Sequence, residues 1–471
     1  MAGMRVRGLV VAGAALVTAL LAACTSGPSP VPTGSSSFGA SVPTPGTPSP
    51  FQEPAWTTYH ADDRRSGVDP SLSTPSPLGS VRRAWTSPQL DGAVYAEPLV
   101  FRGNVYVATE GDSVYALDQV TGRVTWRTNL ADPVPQSGLP CGNIDPTGIT
   151  GTPVIDPSRG LLYAVDFVRP GRHELVALDV DGGRVVFRRS ADPPGLDPLL
   201  EQQRAALAIT GDRVFAAFGG LFGDCGDYHG AVVGSALDGS GPLLSYVVPS
   251  GRAAGIWGPS GPAVDPAGNL LVATGNSDST ADFDFGDAVI RLSPDLKEIG
   301  WFAPSNWAVL NQGDVDLGSE GPGVLSNGLA FQIGKEGVGY LLDPGDLGGA
   351  GGEQFSAGVC SGSFGGTAST GAFVYVPCVD GLVALRVDPA GPSFSVAWHT
   401  PSFEAGPPVV SGGAVWSVDT GSGDLIAFDA TDGHEVFRTG LGTVTHFATP
   451  AAVGGRLYVA ATDRVLAFSG A

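Results

Sequence analysis

From Val105 to Trp126 the chain alternates apolar and polar positions in short runs. Val105-Tyr106-Val107-Ala108-Thr109 is followed by Val114-Tyr115-Ala116-Leu117-Asp118, then by Thr121-Gly122 and Trp126. β-Branched and aromatic residues at a period of two, bounded by turn residues, predict strand, turn, strand, turn, strand. The Thr-Gly turn suits an antiparallel pair. The phrase returns at Leu178-Asp179, Leu237-Asp238, Leu292, Leu342-Asp343, Leu385, Phe428-Asp429 and Phe468, at intervals of 40 to 61 residues. A unit of about four short strands cannot bury its own face. Packing such units against one another gives a propeller or a solenoid.

The two ends of the pattern favour a ring. The last copy stops at Ala471, after its third strand. A spare strand, Val81-Arg82-Arg83-Ala84-Trp85-Thr86, precedes the first copy and looks like the outer strand Arg123-Val124-Thr125-Trp126-Arg127-Thr128. The economical expectation is an all-β, eight-bladed β-propeller of four-stranded antiparallel blades, closed by the N-terminal strand, which removes exposed strand edges. A seven-bladed or open arrangement is the alternative.

Composition agrees. The 471 residues include 70 Gly and 39 Pro, about twice the ordinary share, and only 15% are charged. That excludes a coiled coil or helical bundle, and the lack of a three-residue Gly period excludes collagen. Hydrophobic residues at 42% supply a large core. The formal charge of −21 repels phosphate, so nucleic acid is not expected as a partner, and it offers no attraction to anionic lipid. There are two lysines, Lys297 and Lys335.

Residues 1–23 read as a signal peptide, with Arg5 and Arg7 ahead of an apolar run. Leu21-Ala22-Ala23-Cys24 resembles the bacterial lipobox, which implies lipidation of Cys24 and anchorage on the outer face of the cytoplasmic membrane. Residues 24–54, rich in Pro, Ser, Thr and Gly, read as a tether, and 55–471 as the propeller. Export permits disulfides. Four further cysteines allow three pairings, of which Cys141–Cys225 and Cys360–Cys378 are preferred, the second because it is local; free buried thiols are the other reading.

The phrase G-x-V-Y-V-A-T-x-x-x-x-V-Y-A-L-D-x-x-T-G-x-x-x-W resembles the PQQ-type propeller repeat, over roughly residues 55–471. That repeat occurs in quinoprotein alcohol dehydrogenases and in non-catalytic envelope scaffolds of the BamB type. Both groups are eight-bladed, so the resemblance specifies fold more than function.

Three segments depart from the repeat. Ile256-Trp257-Gly258-Pro259, continuing to Thr274-Gly275-Asn276, is similar to the dehydrogenase segment whose Trp is the floor for a planar quinone and whose Asn is a calcium ligand. In Asn311-Gln312-Gly313-Asp314-Val315-Asp316, the resemblance makes Asp316 the general base, with Asp314 in reserve. Ile333-Gly334-Lys335-Glu336-Gly337 resembles the strand pair whose Lys contacts the quinone oxygens. Two departures weaken the match. The family's adjacent cysteine pair is missing, and its calcium-binding Glu has no counterpart in Gly223-Asp224-Cys225-Gly226-Asp227-Tyr228, so Asp227 or Asp224 would have to serve. Glu97 is placed at the entrance. The resemblance thus implies oxidation of an alcohol or sugar with PQQ and Ca2+, and a separate electron acceptor because no haem motif occurs. The rival expectation is a scaffold that binds proteins or peptides on the propeller face. A closed ring needs no partner, so a monomer is expected.

Overall fold

The structure, a computed structural model, describes residues 54–71, 81–388 and 391–470. The expected signal peptide, Cys24 and nearly all of the tether lie outside the described residues. Eight antiparallel sheets follow one another along the chain. The first blade is Leu99–Phe101, Asn104–Ala108, Ser113–Asp118 and Val124–Asn129, in that order from the inner strand to the outer. The third blade gains a short inner piece, Glu201–Gln202, and the fourth gains Gly349–Ala350 as a parallel edge strand. The eighth is built from Ala451–Val453, Arg456–Ala461 and Arg464–Ser469, and its outer strand is Arg82–Thr86 from the other end of the chain. Ring closure by the N-terminal strand therefore holds.

The repeated Trp and Gly have one physical cause. Trp126 Nε1 donates to Val180 O in the next blade at 2.9 Å, and Gly183, in the turn that follows, lies against the indole face with φ +68°. A Cβ at Gly183 would sit 2.4 Å from that ring. Trp85 repeats the arrangement with Gln119 O and Gly122, and Trp398 with Ala430 O and Gly433. The outer strand of one blade is thus docked on the turn of its neighbour, and only glycine combines the left-handed backbone with that close approach.

Residues 56–69 form a feature that the repeat pattern does not reveal. This segment runs around one end of the central channel and bonds to every blade. Trp56 exchanges two hydrogen bonds with Val100, and Thr57 O accepts from Ile155 N. Arg65 Nη2 donates to Leu207 O at 3.1 Å. Asp63, Arg64, Ser66 and Gly67 carbonyls accept from Val264, Val324, Ser369 and Val410, and Asp69 Oδ2 accepts from Gly455 N. The contacts fall on the innermost strand of each blade, or on the turn beyond it. Both expected disulfides are present, Cys141–Cys225 and Cys360–Cys378.

Candidate functional site

The loops that lead into the inner strands, together with those between second and third strands, meet at the other end of the channel. They enclose a cavity of about 400 Å³. Trp257, Asn276, Asp314, Asp316 and Lys335 all line it, so five residues spread over 79 positions of sequence come together. The seven-residue helix Trp307–Gly313 delivers the two acids: it ends at Asp314, in a left-handed conformation (φ 54°) whose N–H caps Leu310 O. Gly275 and Gly334 allow close approach. A Cβ on Gly275 would meet Asp316 Oδ1 at 2.8 Å and Trp257 Nε1 at 3.0 Å, and one on Gly334 would meet Asp316 O at 2.3 Å.

Asp316 is the hub. Its Oδ1 accepts Asn276 N–H at 2.7 Å, and its Oδ2 lies 2.7 Å from Lys335 Nζ. Nζ also lies 2.9 Å from Asp314 Oδ1 and 5.9 Å from the Trp257 ring centroid. Burial pushes the Asp316 carboxyl up, against the pull of Lys335. For Lys335, burial acts downward, but Asp316 and Asp314 outweigh it and hold the ammonium charged above its ordinary range. Asp287 stands behind this pair. Its Oδ1 accepts Leu317 N–H at 2.7 Å, its Oδ2 has no partner, and burial, with Asp316 adding, lifts it to about 8.

Two expected positions are corrected. Glu97 does not reach the entrance: it is 1% exposed and accepts His60 N–H at 2.8 Å, inside the core beneath the channel. Asp227 does not face the cavity either. Its side chain is 78% exposed and 3.7 Å from His229 Nε2 on the outer surface, because the Cys141–Cys225 bridge and the turn at Gly226 swing it outward. Asp224 is the acid of that loop that lines the cavity, where its Oδ1 accepts the Tyr228 hydroxyl at 2.7 Å. Burial first, then that bond, raises the Tyr228 pKa.

Sequence reasoning missed Tyr228, Arg204, Phe364 and Phe447, which complete the lining. Phe364 lies 6.4 Å from Trp257 and stacks on Phe447 at 6.2 Å, and Arg204 sits over Phe447 at 4.7 Å. The available signal was position. Arg204, Phe364 and Phe447 each occupy the loop just before an inner strand, as Trp257 does.

A divalent cation is poorly served by this lining. Both Asp316 oxygens and Asp224 Oδ1 already accept hydrogen bonds, one of them from an ammonium. Among the described residues, the clusters of three His, Cys, Asp or Glu donors close enough to share an ion are Cys360–Cys378–Asp380 and Asp429–Asp432–His434, and neither borders the cavity. A flat anionic group fits better, because Trp257 offers a face and Lys335 a charge beside it.

The chain is similar to the polyvinylalcohol dehydrogenase of Sphingopyxis sp. (strain 113P3), at 24% identity over 306 residues, which are 59% of this chain and 41% of that one. It thus spans less than half the length of that relative. In structure it is similar to the quinohemoprotein alcohol dehydrogenase ADHIIG of Pseudomonas putida HK5, with a TM-score of 0.69, 14% identity and coverage of 89% of this chain and 80% of that chain. It is also similar to BamB from Moraxella catarrhalis, with a TM-score of 0.57, 16% identity and coverage of 83% and 98%. At these identities the solved structures bear on the fold alone. The family model described as "Outer membrane protein assembly factor BamB" matches residues 79–280 and 380–470, more than half of the chain, and the protein belongs to that family of PQQ-type repeat propellers.

Proposed function

We propose that the cavity is a redox site that binds a flat quinone cofactor of the PQQ type on Trp257 and oxidises an alcohol. The observation that carries this reading is the convergence of Trp257, Asn276, Asp316 and Lys335 in one cavity. When bound, the cofactor would supply an electrophilic centre that takes hydride from the carbinol carbon. The chain's own residues would do the rest. Asp316 accepts the hydroxyl proton, helped by a raised carboxyl pKa that makes it a better base. Lys335 keeps Asp316 oriented and stabilises negative charge beside the Trp257 face. Trp257, Phe364 and Phe447 keep one wall apolar. No step is assigned to calcium, because the Asp316 and Asp224 carboxylates that line the cavity are already engaged by hydrogen bonds. The likeness to a polyvinylalcohol dehydrogenase supports an alcohol as substrate. We further propose export and anchorage through Cys24, a monomer, and a separate electron acceptor.

The test is to titrate full-length protein with PQQ, with and without Ca2+, while following Trp fluorescence and quinone absorbance. Dye reduction is then measured with alcohols, sugars and polyvinyl alcohol. Micromolar binding that is lost in Trp257→Ala supports the reading. The second reading, a non-catalytic scaffold that holds proteins or peptides on this face, is favoured by the engagement of the Asp316 and Asp224 oxygens, and absence of PQQ binding would remove the first reading.

A further inference from the structure

One cation of the cavity has no counter-ion. Lys335 is held by two carboxylates, whereas Arg204 makes no hydrogen bond or ion pair among the described residues. Its guanidinium instead lies over two rings, 4.7 Å from the Phe447 centroid and 5.9 Å from that of Tyr95. Cation–π contact holds the plane in place but satisfies none of its five N–H donors. The half-buried guanidinium lines the cavity with its nitrogens accessible there, so among the described residues its donors are left open to solvent or a ligand.

The surroundings fit an anion at this end. Below the main cavity is a smaller hollow that shares Arg204, Tyr95, His446 and Phe447 with it and adds Tyr59, Thr150, Thr152 and Pro259, with no acidic residue. The acids of the main cavity lie at the Lys335 and Tyr228 end, where Asp314 and Asp316 pair with Lys335 and Asp224 accepts from Tyr228. Glu110 is the remaining acid whose field reaches Arg204. It forms no ion pair with it, accepts Gly148 N–H at 2.7 Å, and is raised by burial to about 7, so it is only partly charged at neutral pH. Arg204 itself stays protonated, since burial lowers a pKa that starts far above neutrality. The rings of Trp257, Phe364 and Phe447 run between the two cations as a continuous apolar arc.

We infer that Arg204 anchors the carboxylate of a small organic acid whose flat apolar body lies along the Phe447–Phe364 arc. The planar fork of the guanidinium matches a carboxylate in bidentate geometry, and the ring beneath it pre-orients that fork. In making this acid the molecule oxidised, a carboxylate-bearing alcohol, the inference rests on the reading above. The binding site itself does not.

The test uses full-length protein without added cofactor. Benzoate, benzamide and inorganic phosphate are titrated by calorimetry and Trp fluorescence. Benzoate is expected to bind at least ten-fold more tightly than either of the others, and to weaken as salt rises. Arg204→Gln is expected to lower benzoate affinity at least ten-fold, and Arg204→Lys to restore part of it. Phe447→Leu, which keeps Arg204 but removes its support, is expected to weaken benzoate several-fold and gives the answer if Arg204→Gln does not fold. Equal binding of benzoate and benzamide, equal or tighter binding of phosphate, no binding of benzoate, or an unchanged affinity in the variants would overturn the inference. PQQ binding is measured separately. Benzoate binding without PQQ binding leaves the acid site standing and removes the redox reading; PQQ binding without benzoate binding does the reverse.

Discussion

Lys335 and Asp316 are joined twice: the Lys335 backbone N–H donates to Asp316 O at 2.9 Å, and Lys335 Nζ lies 2.7 Å from Asp316 Oδ2. The main-chain bond fixes the separation of the two strand-end loops, and the ion pair fixes the side chains. Position and charge are therefore set by different atoms.

Replacing Lys335 with Gln is expected to leave that main-chain bond intact and to remove the charge. Asp316, with a side chain only 5% exposed, would lose its strongest partner. Hydrogen bonds to charged groups contribute about 1.5–3 kcal/mol, so a loss of that order is expected in urea denaturation, together with loss of PQQ binding. An unchanged unfolding midpoint would show that Asp316 does not depend on the ammonium.

Stability should fall as the solution becomes alkaline. Burial lifts Glu201, Asp287 and Glu320 each to about 8. Unfolded carboxyls titrate near 4, so between about pH 4 and 8 the folded chain holds more protons than the unfolded one, and stability declines with rising pH across that window. His60 works in the opposite sense. Burial lowers it to about 3, so stability rises with pH from there to about 6.5, where the unfolded imidazole loses its proton. Above about pH 4 the three carboxyls outweigh the one imidazole, so the melting temperature should be highest near pH 4 to 5 and drop by several degrees towards pH 8.5. A melting temperature that climbs steadily from pH 5.5 to 8.5 would contradict the assignment.

The Cys141–Cys225 bridge spans 84 residues and ties the loop before the second blade's inner strand to the loop that carries Asp224 and Tyr228. Cross-links of that span restrict the unfolded chain by about 4.5 kcal/mol, against about 3 kcal/mol for a closure as short as Cys360–Cys378. The Cys141→Ser/Cys225→Ser pair should therefore destabilise more than Cys360→Ser/Cys378→Ser. It should also weaken ligands of the cavity, because it releases the Asp224 wall, whereas the second pair should leave affinity close to wild type. Calorimetric melting and ligand titration on the two double variants separate these effects.

The blades were legible because each repeats one local rule: alternation, then a Gly turn, then a Trp that docks on the next turn, as in Trp126 and Gly183. Such a rule is written within a few residues and recurs. The cavity was half legible. Trp257, Asn276, Asp314, Asp316 and Lys335 interrupt the repeat with polar sequence, whereas Phe364 and Phe447 look like ordinary apolar residues and lie on the wall only because of ring geometry. Glu97 and Asp227 show the opposite error. Each sits in a suggestive motif, but the direction of its side chain is decided by packing far away in sequence, His60 for one and Cys141 for the other. The segment 56–69 was illegible for a related reason. It makes most of its blade contacts with backbone groups, one blade at a time, and its side-chain contacts, such as those from Arg65 and Asp69, do not recur, so it carries no side-chain period.

Arg65 gives that segment its test. The side chain is 2% exposed and donates to Thr58 Oγ1 at 2.6 Å, to Tyr59 O and Leu207 O at 3.1 Å each, and to Pro262 O at 2.8 and 3.1 Å. It ties the segment to itself and to the third and fourth blades, using neutral oxygens with no carboxylate in bonding range. Arg65→Ala would strand at least four buried acceptors, at about 1–3 kcal/mol for each one that water cannot reach, so a loss of several kcal/mol is expected. Arg65→Lys should recover little, because an ammonium has three donors and no planar fork with which to reach Leu207 O and Pro262 O together. If the segment clasps the ring, both variants will also expose the inner-strand amides of Val264 and Val324 to hydrogen exchange ahead of those in the outer strands. Uniform protection across inner and outer strands in Arg65→Ala would mean that the blades hold one another without it.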